Sequence, residues 1–229
     1  MARQKNQELR QEILKAAYQR FMRDDYNNIL LKDIAADCGI SVSLLHHYFP
    51  TKADIIINII YDLLMKMELF LEQKISGKTK FLNETNAFNE LISRMFVDVL
   101  VRNNNQMLHF YSYVLCDARL MNKVVDFCFA YLTPAPELKD SFEKRYEVYV
   151  YYGSFAQTVL LYLDNRLPTS LYEASIALHR RWYLSLGYSL DECEKIQCRL
   201  NEITDQAFLD EFYQEYLLSL DNFVLCEWN

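Results

Sequence analysis

The sequence has very little glycine and proline, with four residues of each among 229. This shortage of turn-forming residues, beside abundant Leu, Glu, Lys and Tyr, predicts long helices with short connections. Four dispersed glycines cannot form a glycine-rich phosphate loop, and Gly153-Ser154 is not part of a G-x-S-x-G nucleophile motif. We therefore predict that the chain is not an enzyme.

Metal-binding and membrane-spanning patterns are also missing from the sequence. The six cysteines include no CxxC pair, and no cluster of His, Cys and carboxylate residues has metal-ligand spacing. We expect reduced cysteines, no metal and no cofactor. The polar N-terminus does not resemble a signal peptide, and no apolar run approaches the roughly 20 residues that span a bilayer. We expect a cytoplasmic protein without a membrane partner.

Charge is distributed unevenly along the chain, although the net charge is −7. Residues 1–23 carry six basic and two acidic residues, which gives +4, and residues 1–54 carry eight basic and seven acidic residues, which gives +1. The remainder therefore carries −8. A mildly basic N-terminal part on an acidic body fits a DNA-reading module joined to a module that does not bind DNA.

Helical periodicity and capping signals divide the N-terminal part into four helices. A first helix over about 5–23 has an apolar face, and a short second helix covers about 31–38. Gly39 suits the left-handed position at a helix end, Ser41 suits an N-cap, and Pro50 ends a third helix over 42–49. Thr51 with Asp54 is typical of the start of a fourth helix, which reaches about residue 75.

The rest of the sequence predicts further helices and no strands. Ser189 with Glu192 forms a capping box before one of them. The predicted helices lie at about 84–103, 106–116, 118–132, 137–163, 170–186, 189–203 and 205–226. We therefore predict an all-α fold of about ten helices, with a DNA-binding domain at 1–54 and a larger helical domain at 55–229.

Residues 31–49 have the geometry of a helix-turn-helix, because two two-turn helices are joined by a turn that contains Gly39. In this motif the second helix enters the major groove. Leu45 and Phe49, four residues apart, are the natural inward residues of that helix. The residues left facing outward are Val42, Ser43, Leu44, His46 and His47.

Three stretches together resemble the N-terminal domain of TetR-family regulators. They are ILKAAYQRF at 13–21, LKDIAADCGIS at 31–41 and LLHHYFPTKADII at 44–56, within a pattern that covers roughly residues 9–60. The resemblance implies an operator-binding homodimer whose divergent helical body dimerises and binds a small-molecule effector. It also favours a repressor over an activator.

The resemblance further implies roles for individual residues. Base contacts are expected from Ser43, Leu44, His46 and His47, and phosphate contacts are expected from Tyr48 and Lys52. The hydroxyl of Thr51 can add a further contact, and Val42 or Leu44 can pack on a thymine methyl group. Lys52 also falls in the first turn of the fourth helix, where free N–H groups favour a phosphate.

Several positions depart from the usual family pattern. Asp25 stands where a glycine is common, and Ile29 and Leu30 replace a Thr or Ser pair, so we expect Asn28 to cap the second helix. Leu44 stands in place of Thr and His46 in place of Tyr. These changes leave open an alternative function, a TetR-like helical binding or interaction module that has lost operator recognition.

Aromatic residues are abundant in the predicted body, and most of them are expected to pack in its core. A pocket between the fifth to eighth helices is a second interpretation, with an apolar or aromatic effector. The candidate ligand residues are Tyr111, Phe127, Tyr149, Tyr152 and Phe155. Acidic residues such as Asp98, Asp117 and Glu147 would suit a cationic ligand, whereas His109 and His179 are interpreted as structural.

Two C-terminal helices, at 170–186 and 205–226, are the expected dimer interface because they carry many apolar residues that would need a partner. These residues are Leu171, Ile176, Leu178, Trp182, Leu184, Phe208, Phe212, Tyr216, Leu217 and Leu220. We expect the effector to favour a conformation in which the two recognition helices are wrongly spaced for DNA.

Overall fold

The computed structural model describes residues 2–75, 87–102, 106–127 and 142–220. All regular structure in these ranges is helical, which confirms the predicted all-α fold. The chain divides into two compact units, the first comprising residues 1–66 and 215–229 and the second residues 67–214. None of the described helices is long and apolar enough to cross a membrane.

The first unit begins with the four helices that the sequence predicts. They are α1 (Ala2–Arg23), α2 (Leu31–Asp37), α3 (Val42–Tyr48) and α4 (Lys52–Lys74), with a 3₁₀ turn at Tyr26–Asn28 between α1 and α2. The boundary between the two units falls inside α4, between residues 66 and 67. Burial of apolar side chains from all four helices, including Ile13, Ile34, Leu45 and Ile55, forms the core of this unit.

The described residues of the second unit lie mainly in seven helices. They are α5 (Ala87–Arg102), α6 (Gln106–Cys116), α7 (Ala118–Phe127), α8 (Phe142–Leu163), α9 (Leu171–Ser185), α10 (Leu190–Ile203) and α11 (Gln206–Ser219), the last of which ends in the first unit. α9 packs against α5, α8 and α10, and α8 also packs against α6 and α7. The predicted capping box is confirmed, since Ser189 and Glu192 exchange hydrogen bonds at the start of α10.

The predicted cap of the second helix is wrong. Asn28 lies in the 3₁₀ turn, and the N-cap of α2 is Leu30. Leu30 has no side-chain acceptor, but its backbone N–H donates to the carboxylate of Asp33, three residues into the helix, at 2.9 Å. The helix start is therefore stabilised by an acidic residue inside its first turn, where the helix dipole also favours negative charge.

Four of the residues predicted for a dimer interface are buried within a single chain. Leu171, Trp182, Phe212 and Tyr216 are each at most 6% exposed. These four residues do not need a partner subunit to cover them, because the fold of one chain already removes them from water. Among the remaining interface candidates, Leu184 and Leu217 are exposed.

We predict that Gly39→Ala lowers the free energy of unfolding by about 1 kcal/mol. Gly39 ends α2 with a φ of +65°, a conformation that side chains other than glycine adopt only with strain, although an added Cβ would meet no atom within 4 Å. Urea unfolding followed by circular dichroism measures the change. The control is Gly153→Ala inside α8, where φ is not positive and space is equally open. This control should raise stability by about 0.5–1 kcal/mol. Equal effects at both positions would contradict the explanation.

Candidate nucleic-acid interface

The recognition helix α3 presents one face inward and the other to solvent, as predicted. Leu45 and Phe49 are almost completely buried, which anchors α3 to the first unit. The five residues predicted to face outward are all exposed: Val42, Ser43, Leu44, His46 and His47. A short helix with two buried anchors and an exposed opposite face can lie in a DNA groove without unfolding its supports.

The start of α3 is fixed by the residues around its turn. Ser41 caps the helix, since its hydroxyl accepts a hydrogen bond from the N–H of Leu44 at 3.1 Å. Gly39 provides the left-handed turn, and the N–H of Ile40 donates to the carbonyl of Ala35 in α2 at 3.0 Å. These local bonds define the angle between α2 and α3, which a helix-turn-helix needs in order to present its second helix.

A charge-assisted contact ties α1 to α2 behind the recognition helix. The guanidinium of Arg20 donates two hydrogen bonds to the carboxylate of Asp37, at 2.6 and 2.7 Å. This hydrogen-bonded pairing raises the pKa of Arg20 and lowers that of Asp37. The guanidinium of Arg10, also in α1, donates a hydrogen bond to the side-chain oxygen of Asn58 in α4 at 2.7 Å. The frame that holds α3 is therefore stabilised by polar contacts as well as by its apolar core.

The ring of His46 is held by a hydrogen bond to the backbone. Its Nδ1 lies 3.0 Å from the carbonyl oxygen of Pro50. A carbonyl only accepts hydrogen bonds, so Nδ1 carries a proton and donates it to Pro50. This bond orients the ring at the end of α3 and leaves Nε2 as the ring nitrogen that can face a base edge.

The residues predicted to contact phosphates are already engaged within the chain. The hydroxyl of Thr51 donates to the carboxylate of Asp54 at 2.7 Å and accepts from its N–H, which confirms the predicted cap of α4. The ammonium of Lys52 donates to the carbonyls of Tyr26 and Ile29, at 2.7 and 2.9 Å. It also lies 3.8 Å from the centre of the Tyr26 ring, and burial lowers the pKa of Lys52.

Tyr48 is half-buried at the end of α3, and its ring meets that of His47 edge-on at 5.6 Å. Lys52 uses two of its three donors on the connection between α1 and α2, which leaves one for another acceptor. Its contacts also fix the 3₁₀ turn against the start of α4. The structure thus gives Lys52 a positioning role in addition to the phosphate contact that the resemblance implies.

We predict that Lys52→Met lowers the free energy of unfolding of the first unit by about 1–3 kcal/mol, because two backbone carbonyls lose a charged donor. Urea unfolding of the full chain is the measurement. Lys32→Met, at an exposed lysine of α2, is the matched control and should leave stability unchanged. If Lys52→Met is as stable as the parent but binds DNA weakly, the positioning role is wrong and the residue acts on phosphate alone.

In the second unit, the five aromatic residues predicted to bind an effector lie on helices that pack together. Tyr111 of α6, Phe127 of α7 and Phe155 of α8 are buried, whereas Tyr149 and Tyr152 of α8 are half-buried. Tyr111 packs edge-on against Phe96 at 5.3 Å, and Phe155 lies 6.3 Å from the same ring. Tyr111, Phe127 and Phe155 are therefore part of the core, and the ligand-binding role of all five residues stays a prediction.

A pocket of about 360 Å³ opens elsewhere in the second unit, and none of those five residues lines it. Its walls include Asp98 and Val101 of α5 and Leu171 of α9. Burial raises the pKa of Asp98, while its ion pair with Arg102, at 2.7 Å, acts in the opposite direction. Asp98 therefore already has a cationic partner.

Asp117 accepts hydrogen bonds from the backbone at the start of α7, at 2.8 and 3.2 Å.

Sequence reasoning missed one polar network, in which Arg94 and Glu90 of α5 form a completely buried ion pair at 2.7 Å. Their spacing of four residues is a visible signal for a helical ion pair, but exposed pairs have the same spacing. Among the described residues, no three His, Cys, Asp or Glu side chains converge as they would around a metal ion.

Comparison with known proteins gives one match. Residues 13–59, from within α1 to within α4, match the family model described as "Bacterial regulatory proteins, tetR family". No curated protein and no solved structure matches the chain significantly. Members of this family are regulators rather than enzymes. The matched segment folds as a helix-turn-helix with an exposed second helix, so residues 13–59 are similar in sequence to the N-terminal DNA-binding part of TetR-family regulators and have the fold that this part needs.

Proposed function

We propose that the protein is a repressor that binds a roughly palindromic operator as a homodimer and is released by a small-molecule effector. The observation that carries the DNA-binding part is the exposed face of α3, with Ser43, Leu44, His46 and His47 on a helix anchored by two buried residues. These four side chains are proposed to contact base edges, with Val42 packing on a thymine methyl group.

Tyr48, Thr51 and Lys52 are proposed to lie along the phosphate backbone beside α3. The ammonium of Lys52 donates to two carbonyls and keeps a third N–H for a phosphate. Thr51 has a single hydroxyl proton, so a contact with a phosphate would require that proton to turn away from Asp54. Phosphate contacts would set the register of the domain, whereas the α3 side chains would set its sequence preference. A dimer is supported by the usual symmetry of operator recognition, in which two recognition helices lie about one DNA turn apart.

The second unit is proposed to bind the effector and to contribute to the dimer interface. Exposed apolar residues support a contact between subunits, such as Leu184 on α9 of the second unit and Leu217 in the part of α11 that belongs to the first unit. The aromatic group of Tyr111, Phe127, Tyr149, Tyr152 and Phe155 supports an apolar or aromatic effector. An effector that binds better to a conformation with wrongly spaced recognition helices would release the operator.

A salt titration with the neighbouring promoter fragment and with random DNA tests this proposal. A regulator binds the promoter more tightly, and the logarithm of its affinity falls steeply with the logarithm of the salt concentration. Equal affinity for promoter and random DNA would reject operator recognition. That result would favour the alternative function, a TetR-like helical module without operator binding, for which Leu44 and His46 are the motivating residues.

A further inference from the structure

A buried polar cluster lies in the second unit between α5, α8 and α9. The hydroxyl of Ser93 is 3.1 Å from that of Tyr151 and 3.3 Å from that of Ser175. The hydroxyl of Tyr151 is in turn 3.3 Å from Nδ1 of His179. Most polar atoms of this cluster therefore bond to one another, as buried polar atoms normally do.

His179 leaves one nitrogen of its ring without a partner. Its Nδ1 lies 3.0 Å from the carbonyl oxygen of Ser175, and because a carbonyl only accepts, Nδ1 carries the proton. The ring is 1% exposed, and burial lowers the pKa of His179, so the imidazole is neutral. Nε2 is therefore an acceptor, and it meets no donor among the residues that the structure describes.

Trp182 presents the complementary feature three residues later on α9. Its side chain is 6% exposed, and its Nε1–H, which can only donate, has no acceptor within the described ranges. The rings of His179 and Trp182 are 6.1 Å apart and nearly perpendicular. An acceptor and a donor within one helical turn, both buried and both unsatisfied, point to a partner that supplies the opposite pair of groups.

The surroundings indicate the chemistry of that partner. The ring of Tyr151 lies 4.6 Å from His179 and 5.7 Å from Trp182, and it is stacked on Phe155 at 6.5 Å. The charged side chains that act on His179 are Glu90 and Arg94, which pair with each other and influence the imidazole in opposite directions. An aromatic surrounding without net charge favours a neutral aromatic ligand over an ion.

We propose that Nε2 of His179 and Nε1 of Trp182 bind the hydroxyl group of a small neutral aromatic alcohol of the phenol class. The hydroxyl would donate to Nε2 and accept from the indole N–H, while its ring would contact the neighbouring aromatic side chains. This inference rests on the proposed effector-binding role of the second unit, and it names the ligand class. A water molecule has the same hydroxyl chemistry, so the experiment separates the two occupants.

Phenol and toluene are matched probes, since they share size and shape and only phenol has a hydroxyl. The parent for the test carries Trp228→Phe, which leaves Trp182 as the one tryptophan of the sequence. Fluorescence titration and thermal unfolding at millimolar probe concentration give the affinities. We expect phenol to bind about tenfold more tightly than toluene, and phenol to shift the Trp182 emission.

Two variants locate the hydrogen bonds. His179→Phe removes the acceptor and Trp182→Phe removes the donor while keeping an aromatic ring, and each should reduce phenol affinity about tenfold without changing toluene affinity. Thermal unfolding provides the readout for Trp182→Phe. His109→Phe, at an exposed histidine of α6, is the control and should change neither affinity. If His179→Phe does not fold, the affinities of Trp182→Phe for phenol and toluene test the proposal alone.

Equal binding of phenol and toluene to the parent would overturn the inference, and so would a preference for phenol that survives in Trp182→Phe. If phenol does not bind, a water molecule is the remaining occupant of the site, and the inference is overturned as well. The operator titration described above is run on the same parent without phenol. Intact operator binding beside absent phenol binding rejects the ligand site alone, whereas the reverse result rejects the proposed DNA-binding function alone.

Discussion

Arg94→Met is expected to lower the free energy of unfolding of the second unit by about 3–5 kcal/mol. Arg94 is 1% exposed and donates two hydrogen bonds to Oε1 of Glu90, at 2.7 and 3.0 Å. It also donates to Thr204 at 2.9 Å and to side-chain oxygens of Gln197 and Asn201, both at 2.7 Å. The network therefore joins α5 to α10 through one guanidinium.

The large effect comes from the partner that the substitution leaves behind. Without Arg94, the carboxylate of Glu90 remains completely buried. The side-chain N–H of Gln197 still donates a hydrogen bond to this carboxylate, but the positive charge that balanced it is gone. The double variant Glu90→Gln/Arg94→Met removes both charges and should lose clearly less stability than Arg94→Met alone. Urea unfolding of the three proteins tests this, and a double variant at least as unstable as the single one would contradict the explanation.

His47→Ala is expected to reduce affinity for the preferred operator by about 10- to 100-fold and to leave affinity for random DNA almost unchanged. His47 is exposed on the outward face of α3, two residues beyond the buried anchor Leu45. A base contact contributes only when the right base is present, so its loss affects the specific complex alone.

The matched control for this prediction is His109→Ala, which removes an exposed histidine from α6 of the other unit. It should change neither affinity. Fluorescence anisotropy at one fixed salt concentration measures both DNAs for all three proteins. A loss of the same factor on operator and random DNA would place His47 on the phosphate backbone, and unchanged binding on both would remove it from the interface.

Local sequence signals predicted most of the first unit because its helix ends depend on nearby residues. Gly39, Ser41 and the pair Thr51 and Asp54 all serve as their types suggest. The prediction of Asn28 as a cap was wrong because it considered only residues before the helix, whereas the carboxylate that satisfies Leu30 comes from Asp33 within it. A capping rule that considers only the residues before a helix fails where a residue inside the first turn satisfies the helix start instead.

Features that depend on distant parts of the chain could not be predicted in the same way. The hydrogen bonds from Lys52 require the carbonyls of Tyr26 and Ile29 to converge on its ammonium, and no periodicity encodes that convergence. His179 was interpreted from sequence as structural. Its burial and its unpartnered Nε2 become visible only when α5, α8 and α9 are packed together.

The exposed side chains of α3 are proposed to read a DNA sequence, and selection from a random duplex pool tests this role most directly. The parent chain should enrich a two-fold symmetric motif with half-sites about one DNA turn apart. A variant with Ser43, Leu44, His46 and His47 all replaced by alanine should enrich none. A motif that this variant also selects, or a parent that enriches no motif, would contradict the account.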